Sequence, residues 1–167
     1  MIKGIVYTSN SGFTKEYAKM LSKRLSVPAY SLKESKKNLD KNDEIIYMGW
    51  IMANIIKGYK KAKKDYNIKI LCAVGMKECS KEIINQIKTA NSILGDLFYL
   101  QGGFDMKRIS GVYKFFMTGM LKGIEKELKE NFDKSKEDML TVLKKGKSFI
   151  SDKNLDEIAD LCKNSLI

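Results

Sequence analysis

Residues 2–14 of the chain read IKGIVYTSNSGFT, and the character of the sequence changes abruptly halfway along. Residues 2–7 are mostly β-branched and apolar, which is typical of a buried strand. Residues 8–14 then carry four hydroxyl side chains, one amide and one glycine. From residue 14 to residue 25 the apolar side chains fall on one face of a helix, namely Tyr17, Ala18, Leu21 and Leu25. The stretch predicts a strand, a polar loop and a helix in immediate succession.

The same alternation continues along most of the chain. Apolar runs that predict strands recur at residues 29–32, 44–49, 68–74 and 96–101. Between them, segments with helical spacing lie at residues 55–64 and 80–91, the second with Ser80 as its N-cap. Strands that alternate with helices and are apolar on both faces predict a parallel sheet with helices on each side. We therefore expect a single α/β domain over residues 1–167.

The composition is that of a globular protein that lacks one chemically important residue. Hydrophobic residues make up 44% and charged residues 31% of the chain, far from a disordered composition. Histidine is absent, which removes the commonest general base and metal ligand and the Ser-His and Cys-His nucleophile pairs. If the protein is an enzyme, we expect its difficult chemistry to lie on a bound cofactor. With no apolar stretch of membrane-spanning length and no signal peptide, the expected location is the cytoplasm.

The net charge of +11 predicts attraction to something acidic. Nucleic acid, anionic lipid, an acidic protein and an anionic small molecule all meet that description. The lysines are spread along the chain, so a solvated basic surface without a dedicated partner accounts for the charge equally well. No nucleic-acid-binding motif accompanies it, and we expect no nucleic-acid partner.

The polar loop that follows the first predicted strand has the features of an anion site. In sheets of this kind, ligands bind beyond the carboxyl ends of the strands, where the strand order reverses. A helix N-terminus offers unpaired N–H groups and partial positive charge there, and Gly12 lets the backbone approach an anion closely. The loop has neither a Gly-Lys-Ser/Thr nor a G-x-G-x-x-G pattern. The competing interpretation is an ordinary polar turn with Thr14 as the N-cap.

Residues 9–14, SNSGFT, resemble the phosphate loop of flavodoxins, S/T-x-S/T-G-x-T, at the end of a first strand. The five predicted strands extend the resemblance through residue 105. It implies a flavodoxin-like three-layer sandwich with a five-stranded parallel sheet in the order 2-1-3-4-5, and flavin mononucleotide (FMN) as the cofactor. The residues that it implies for phosphate binding are Ser9, Asn10, Ser11, Gly12, Phe13 and Thr14.

The resemblance also implies contacts to the flavin ring from three later loops. The first, after the third strand, comprises Gly49, Trp50, Ile51, Met52, Ala53 and Asn54. The second and third contribute Gly75 and Met76, then Gln101, Gly102 and Gly103. Trp50, the only tryptophan, has two open roles: its flat indole stacks on the flavin, or it caps the core or lies on the surface. Flavodoxins often place an aromatic residue in the second of these loops, and this chain does not.

Residues 101–127 resemble more particularly the flavodoxin-domain subgroup that contains menaquinone-dependent protoporphyrinogen oxidase. There, a turn of small residues is followed by a long aromatic, basic and methionine-rich helix, which corresponds here to residues 108–130. One row of its apolar stripe is Val112, Phe116, Met120, Ile124 and Leu128. Its role stays open between packing on the sheet or on a second copy in a homodimer, and contact of residues 108–128 with the flavin or a membrane surface. We expect further helices in residues 131–167 to cover the sheet.

The resulting expectation is an FMN-binding redox protein with no catalytic acid or base of its own and no metal. It would be either an oxidoreductase acting on a small apolar substrate or a quinone, or an electron carrier with a redox protein partner. Flavodoxins usually present an acidic face to their partners, so the basic charge favours the oxidoreductase. The alternatives are a signalling module and a basic module that binds anionic surfaces. A phosphorylatable receiver lacks support because no carboxylate follows the first or third strand.

Overall fold

A computed structural model describes residues 1–165, apart from the side chains of residues 135, 138, 139, 142 and 165. The strands are β1 (Gly4–Thr8), β2 (Ala29–Ser31), β3 (Glu44–Met52), β4 (Ile55–Ile56), β5 (Asn67–Gly75), β6 (Phe98–Gln101), β7 (Gly103–Phe104) and β8 (Lys147–Ser148). The helices are α1 (Phe13–Leu25), α2 (Tyr59–Asp65), α3 (Lys81–Asn91), α4 (Gly111–Glu130), α5 (Lys134–Lys145) and α6 (Asp156–Ser165). None of the described helices is both long enough and apolar enough to cross a lipid bilayer.

Five strands form a parallel sheet in the order β2-β1-β3-β5-β6. Because β4 is a two-residue strand antiparallel to β3, β5 and β6 are the fourth and fifth parallel strands. The predicted order 2-1-3-4-5 and the flavodoxin-like three-layer architecture are therefore confirmed. The register sets Thr8 opposite Gly49 and Gly75 opposite Gln101, so the carboxyl ends of these four strands lie at one edge.

Alternating side chains of the strands face two separate cores, as the period of two in a strand requires. On one face, Ile5, Ile46 and Cys72 pack with residues of α1 and α6. On the other face, Val6 and Tyr47 pack with residues of α2 and α3. The apolar runs that predicted buried strands thus supply both layers of packing.

The segment predicted as a helix at residues 55–64 begins instead with a hairpin. β3 continues to Met52, Ala53 and Asn54 form a left-handed turn with φ of 49° and 61°, and β4 pairs back onto β3. The buried side chain of Asn91 in α3 stabilises this hairpin: its amide nitrogen donates to the Asn54 carbonyl (2.7 Å), and its Oδ1 accepts from the Ile56 N–H (3.0 Å). The helix starts at Tyr59, after Gly58 at φ 80°.

In the last third of the chain, α6 packs on the sheet, whereas α4 and α5 form a separate pair of helices. α4 and α5 pack against each other around a small core of Leu121, Leu140 and Leu143. The chain then returns through β8, which pairs with β7. α6 covers the sheet beside α1, so of the two helices that follow α4, α6 packs on the main core and α5 on α4.

Candidate functional site

A cleft of about 210 Å³ lies beyond the carboxyl ends of β1, β3 and β5. The loop after β1 and the start of α1 contribute Asn10, Ser11, Phe13 and Thr14 to its wall, and β3 contributes Trp50, Ile51 and Met52. The end of β5 and the residue after it contribute Val74, Gly75 and Met76, and β7 contributes Gly103 and Phe104. The segment leading into α4 and the first half of that helix close the remaining side with Ile109, Tyr113, Phe116 and Met117.

The loop after β1 is folded back on itself and leaves the start of α1 free of a capping side chain. Ser9 Oγ accepts a hydrogen bond from the Gly12 N–H at 3.1 Å, and Gly12 adopts a left-handed conformation with φ of 92°. α1 begins at Phe13, and Gly12 rather than Thr14 is its N-cap. Thr14 lies within the first turn and is buried. Since no described side chain caps this N-terminus, its N–H groups and partial positive charge are available to an anion.

Arg108 lies beside this loop, at a position that the site prediction did not include. Its guanidinium carbon is 4.4 Å from the centre of the Phe13 ring, a cation–π contact. Nη2 forms an ion pair with Glu16 in α1, and a methyl group added at Gly12 would lie 2.6 Å from the same nitrogen. A guanidinium therefore stands at the mouth of the uncapped helix, with its charge balanced in part by the Glu16 carboxylate.

The opposite wall of the cleft is aromatic. The Trp50 and Tyr113 rings meet edge to face, with centroids 4.8 Å apart and planes at 90°. Lys57 Nζ lies 5.9 Å from the centre of each ring. Trp50 is half-buried in β3 and lines the cleft. Its contact with Tyr113 joins the sheet to α4.

The backbone of Lys57 is fixed by two buried or half-buried hydroxyl groups. Thr8 Oγ1 donates to the Lys57 carbonyl at 2.6 Å, and Tyr47 Oη donates to the same oxygen at 2.7 Å. Burial raises the pKa of Tyr47 above its ordinary value, so its phenol remains a hydrogen-bond donor at neutral pH. The end of β1, the middle of β3 and the segment after β4 are thereby held together behind the aromatic wall.

Two side chains of β6 support the loop after β5. Tyr99 Oη donates to the Lys77 carbonyl at 2.7 Å, and Gln101 Nε2 donates to the Met76 carbonyl at 3.3 Å. Burial, helped by the nearby Cys79 thiol, raises the pKa of Tyr99 to about 12, so the phenol keeps its proton. The loop has no aromatic residue facing the cleft, and Met76 lines that side.

The structure brings most of the sequence-predicted site residues to the cleft. Those on its wall are Asn10, Ser11, Phe13, Thr14, Trp50, Ile51, Met52, Gly75, Met76 and Gly103. The predicted site residues that do not line the cleft are Ser9, Gly12, Gly49, Ala53, Asn54, Gln101 and Gly102. Residues 49–52, expected in a loop, belong to β3. The absent side chain of Gly49 makes room for Ile56 and Lys57, and the Gly102 N–H donates to the Gly75 carbonyl at 2.8 Å.

Six wall residues were not among the sequence-predicted site residues, namely Val74, Phe104, Ile109, Tyr113, Phe116 and Met117. Val74 is the last buried residue of β5 and directly precedes Gly75, which was predicted to be in the site. Its position next to Gly75 could have identified it. Phe104 follows the two glycines after β6. The other four belong to α4 or to the segment just before it. The placement of this helix over the cleft is a long-range contact that local sequence patterns do not report.

Among the side chains that the structure describes, no three of the types His, Cys, Asp or Glu are grouped as metal ligands would be. No protein-family model matches the chain, and no curated protein or solved structure is significantly similar to it.

Proposed function

We propose that the cleft binds FMN and that the protein is a flavin-dependent redox protein of the flavodoxin type. The observation that carries this proposal is the meeting of an uncapped helix N-terminus with an aromatic, mainly apolar cleft at the carboxyl edge of the sheet. One part has the chemistry that binds a phosphate and the other has the chemistry that binds a flat ring.

The residues present fit the phosphate. The N–H groups at the start of α1 and the hydroxyl groups of Ser11 and Thr14 are the donors that we assign to it. The side chain of Asn10 is a further donor on the same wall. Arg108, beside Gly12, is the cation that we assign to the phosphate, and its remaining N–H groups would donate to it alongside the ion pair with Glu16.

The residues present also fit the ring. Trp50 offers an indole on one wall, and Gly75 and Met76 offer backbone and an unbranched side chain on another. A volume of about 210 Å³ is below the roughly 300–1,000 Å³ of typical ligand pockets, so the ring would fill the cleft and extend past its open side. When bound, FMN supplies one- and two-electron transfer, and the protein's contribution is to bind, orient and partly shield it.

Between an oxidoreductase and an electron carrier, the apolar wall favours the oxidoreductase. Phe116, Met117 and Ile109 border the cleft beside the position that we assign to the ring. An apolar small molecule, such as a quinone, would be desolvated by these side chains, whereas a carrier needs only an exposed ring edge. The net charge of +11 favours the same choice, because flavodoxins usually present an acidic face to their protein partners and this chain is strongly basic.

The experiment that tests the proposal is the visible spectrum of the freshly purified full chain. We expect the absorption bands of an oxidised flavin, and we expect mass and phosphorus analysis of the released chromophore to identify FMN. A colourless protein that also fails to bind added FMN would contradict the proposal. A bound flavin without phosphate would contradict the assigned role of the loop.

A further inference from the structure

The outward side of α4 carries large apolar side chains that nothing in the described structure covers. Val112 is 81% exposed, Phe115 84% and Phe116 57%, and Met120 is also exposed. At 100° per residue these four share one face of the helix with Gly119 and Gly123. A methyl group added at either glycine would meet no atom within 4 Å. We call these six residues the outer face of α4.

The outer face is not a remnant of packing within the fold. α4 packs on α5 through its opposite side, where Leu121 is buried and Ile124 and Leu128 are half-buried. Tyr113 and Met117, in earlier turns and away from the outer face, line the cleft. The packed side of the helix is thus covered by the cleft and by α5, whereas the outer face, apart from the contact of Phe116 with the cleft, is exposed to solvent. Contiguous exposed apolar surface of this kind marks a contact with a partner or a membrane.

The charged residues nearest the exposed apolar side chains of the outer face are basic. Residues 106–124 contain four basic residues, Lys107, Arg108, Lys114 and Lys122, and no acidic residue. Lys122 follows Phe115 by seven residues and Lys126 follows Gly119 by seven, so both lysines border the same edge of the face. Both are exposed. Further along the helix, Glu125 and Glu127 are paired with Lys144 and Lys136 of α5. Glu130, at the end of α4, is exposed and lies in line with Val112, so the basic part of the face ends near Lys126.

We propose that the outer face of α4 docks on an anionic lipid surface. Aromatic and aliphatic residues flanked by lysines are what an interfacial helix needs to enter the headgroup region and pair with lipid phosphates. A second copy of the chain is the less favourable occupant, because it would bring another +11 charge and the same lysines to the interface. An anionic bilayer is complementary in both apolarity and charge.

The outer face and the cleft share a residue. Phe116 belongs to the exposed face and also to the cleft wall, so a bilayer in contact with α4 would lie beside the cleft. Where the proposed flavin is bound, an apolar substrate dissolved in the bilayer would have a short path to it. Docking itself requires no flavin, and its test is independent of flavin content.

The test is co-sedimentation of the full chain with vesicles of phosphatidylcholine alone and of phosphatidylcholine mixed with phosphatidylglycerol. We expect the protein to pellet with the anionic vesicles, and added salt to release it. The variant Val112→Gln/Phe115→Gln leaves the cleft wall intact and should weaken binding at least about tenfold. Lys122→Gln/Lys126→Gln should weaken it by about fivefold for each lysine. Circular dichroism and urea unfolding check that each variant folds.

Leu94→Gln is the matched control. Leu94 is fully exposed, but it lies before β6 at the opposite end of the sheet, so its replacement should leave vesicle binding unchanged. The proposal is overturned if the protein stays in the supernatant with anionic vesicles, or if Val112→Gln/Phe115→Gln binds like the unaltered chain. It is also overturned if the chain alone is a dimer that this variant converts to a monomer, because the face would then join two copies. Flavin absorbance of the same samples reports separately on the proposed cofactor.

Discussion

The sheet core and the outer face of α4 are built from similar residues but lie in opposite surroundings. Ile5, Leu21 and Ile46 are fully buried between the layers, whereas Val112 and Phe115 are among the most exposed side chains in the described structure. Burial of apolar area is the main source of folding free energy, so the first group stabilises the fold and the second does not. Apolar residues that contribute nothing to stability point to contact with something outside the chain.

The cleft lies between these two regions and takes one wall from each. Trp50 belongs to a strand of the sheet, and its ring partner Tyr113 belongs to α4. Arg108, just before α4, is in turn paired with Glu16 in α1. The cleft therefore lies between the sheet and α4. Substitutions on each wall can test whether the sheet residues determine stability and whether the cleft residues determine flavin binding.

The largest expected effect separates the two regions by stability. Leu21→Ala removes a fully buried side chain from the core under α1, and we expect the free energy of unfolding to fall by about 2–5 kcal/mol. Phe115→Ala removes a larger side chain from the outer face, and we expect a change within about 0.5 kcal/mol. Urea unfolding followed by circular dichroism measures both. Equal losses in the two variants would mean that α4 is packed as core.

The largest expected effect on cofactor affinity, as opposed to stability, concerns the loop that we assign to the phosphate. Replacing Ser11 and Thr14 with Ala removes two hydroxyl donors, and each hydrogen bond lost to a charged group costs about 1.5–3 kcal/mol of FMN affinity. Titration of flavin fluorescence measures the change. Riboflavin, which has no phosphate, serves as the control ligand and should bind the variant as it binds the unaltered chain. FMN affinity that is unchanged would show that the phosphate is held elsewhere.

A smaller effect is expected at Arg108, on the α4 side of the cleft. Arg108→Gln removes a partly exposed charge beside Gly12, and we expect FMN affinity to fall by about 1–2 kcal/mol, less at high salt. The neighbouring Lys107→Gln changes the net charge equally and is the matched control, with little loss expected. If the two variants behaved alike, the contribution of Arg108 would be overall charge rather than a contact with the phosphate.

The smallest effect is expected for the aromatic pair. Trp50→Phe keeps a flat ring but alters its meeting with Tyr113, and aromatic pairs contribute about 0.5–1.5 kcal/mol beyond the area that they bury. We expect flavin fluorescence and redox potential to change while the unfolding midpoint moves little. An unfolded or strongly destabilised variant would instead assign Trp50 to the core.

The fold was largely predictable because its signals are local. The β-branched runs, the helical spacing of α1 and the Ser80 cap, which accepts from the Ile83 N–H at 3.2 Å, each lie within one segment. The hairpin at β4 was missed because Ile55 and Ile56 also fit a helical pattern. The hairpin is selected over a helix by the buried side chain of Asn91 in α3, which hydrogen-bonds to the hairpin backbone. The segment itself contains no signal for this contact.

The site was only partly predictable, because its second wall depends on contacts between distant parts of the chain. Residues of the loop after β1 could be identified from their place between a strand and a helix. The cation–π contact of Arg108 with Phe13 and the ring contact of Tyr113 with Trp50 join positions far apart in sequence. The apolar stripe of α4 gave no sign of which side would face the cleft, α5 or solvent, because all three sides contain apolar residues.

The most direct test of the central claim is an equilibrium titration of the flavin-free protein with FMN and with riboflavin. The phosphate assigned to the start of α1 predicts that FMN binds at least about tenfold more tightly, since one hydrogen bond to a charged group is already about 1.5–3 kcal/mol. Equal affinity for the two flavins, or no binding of either, would contradict the account.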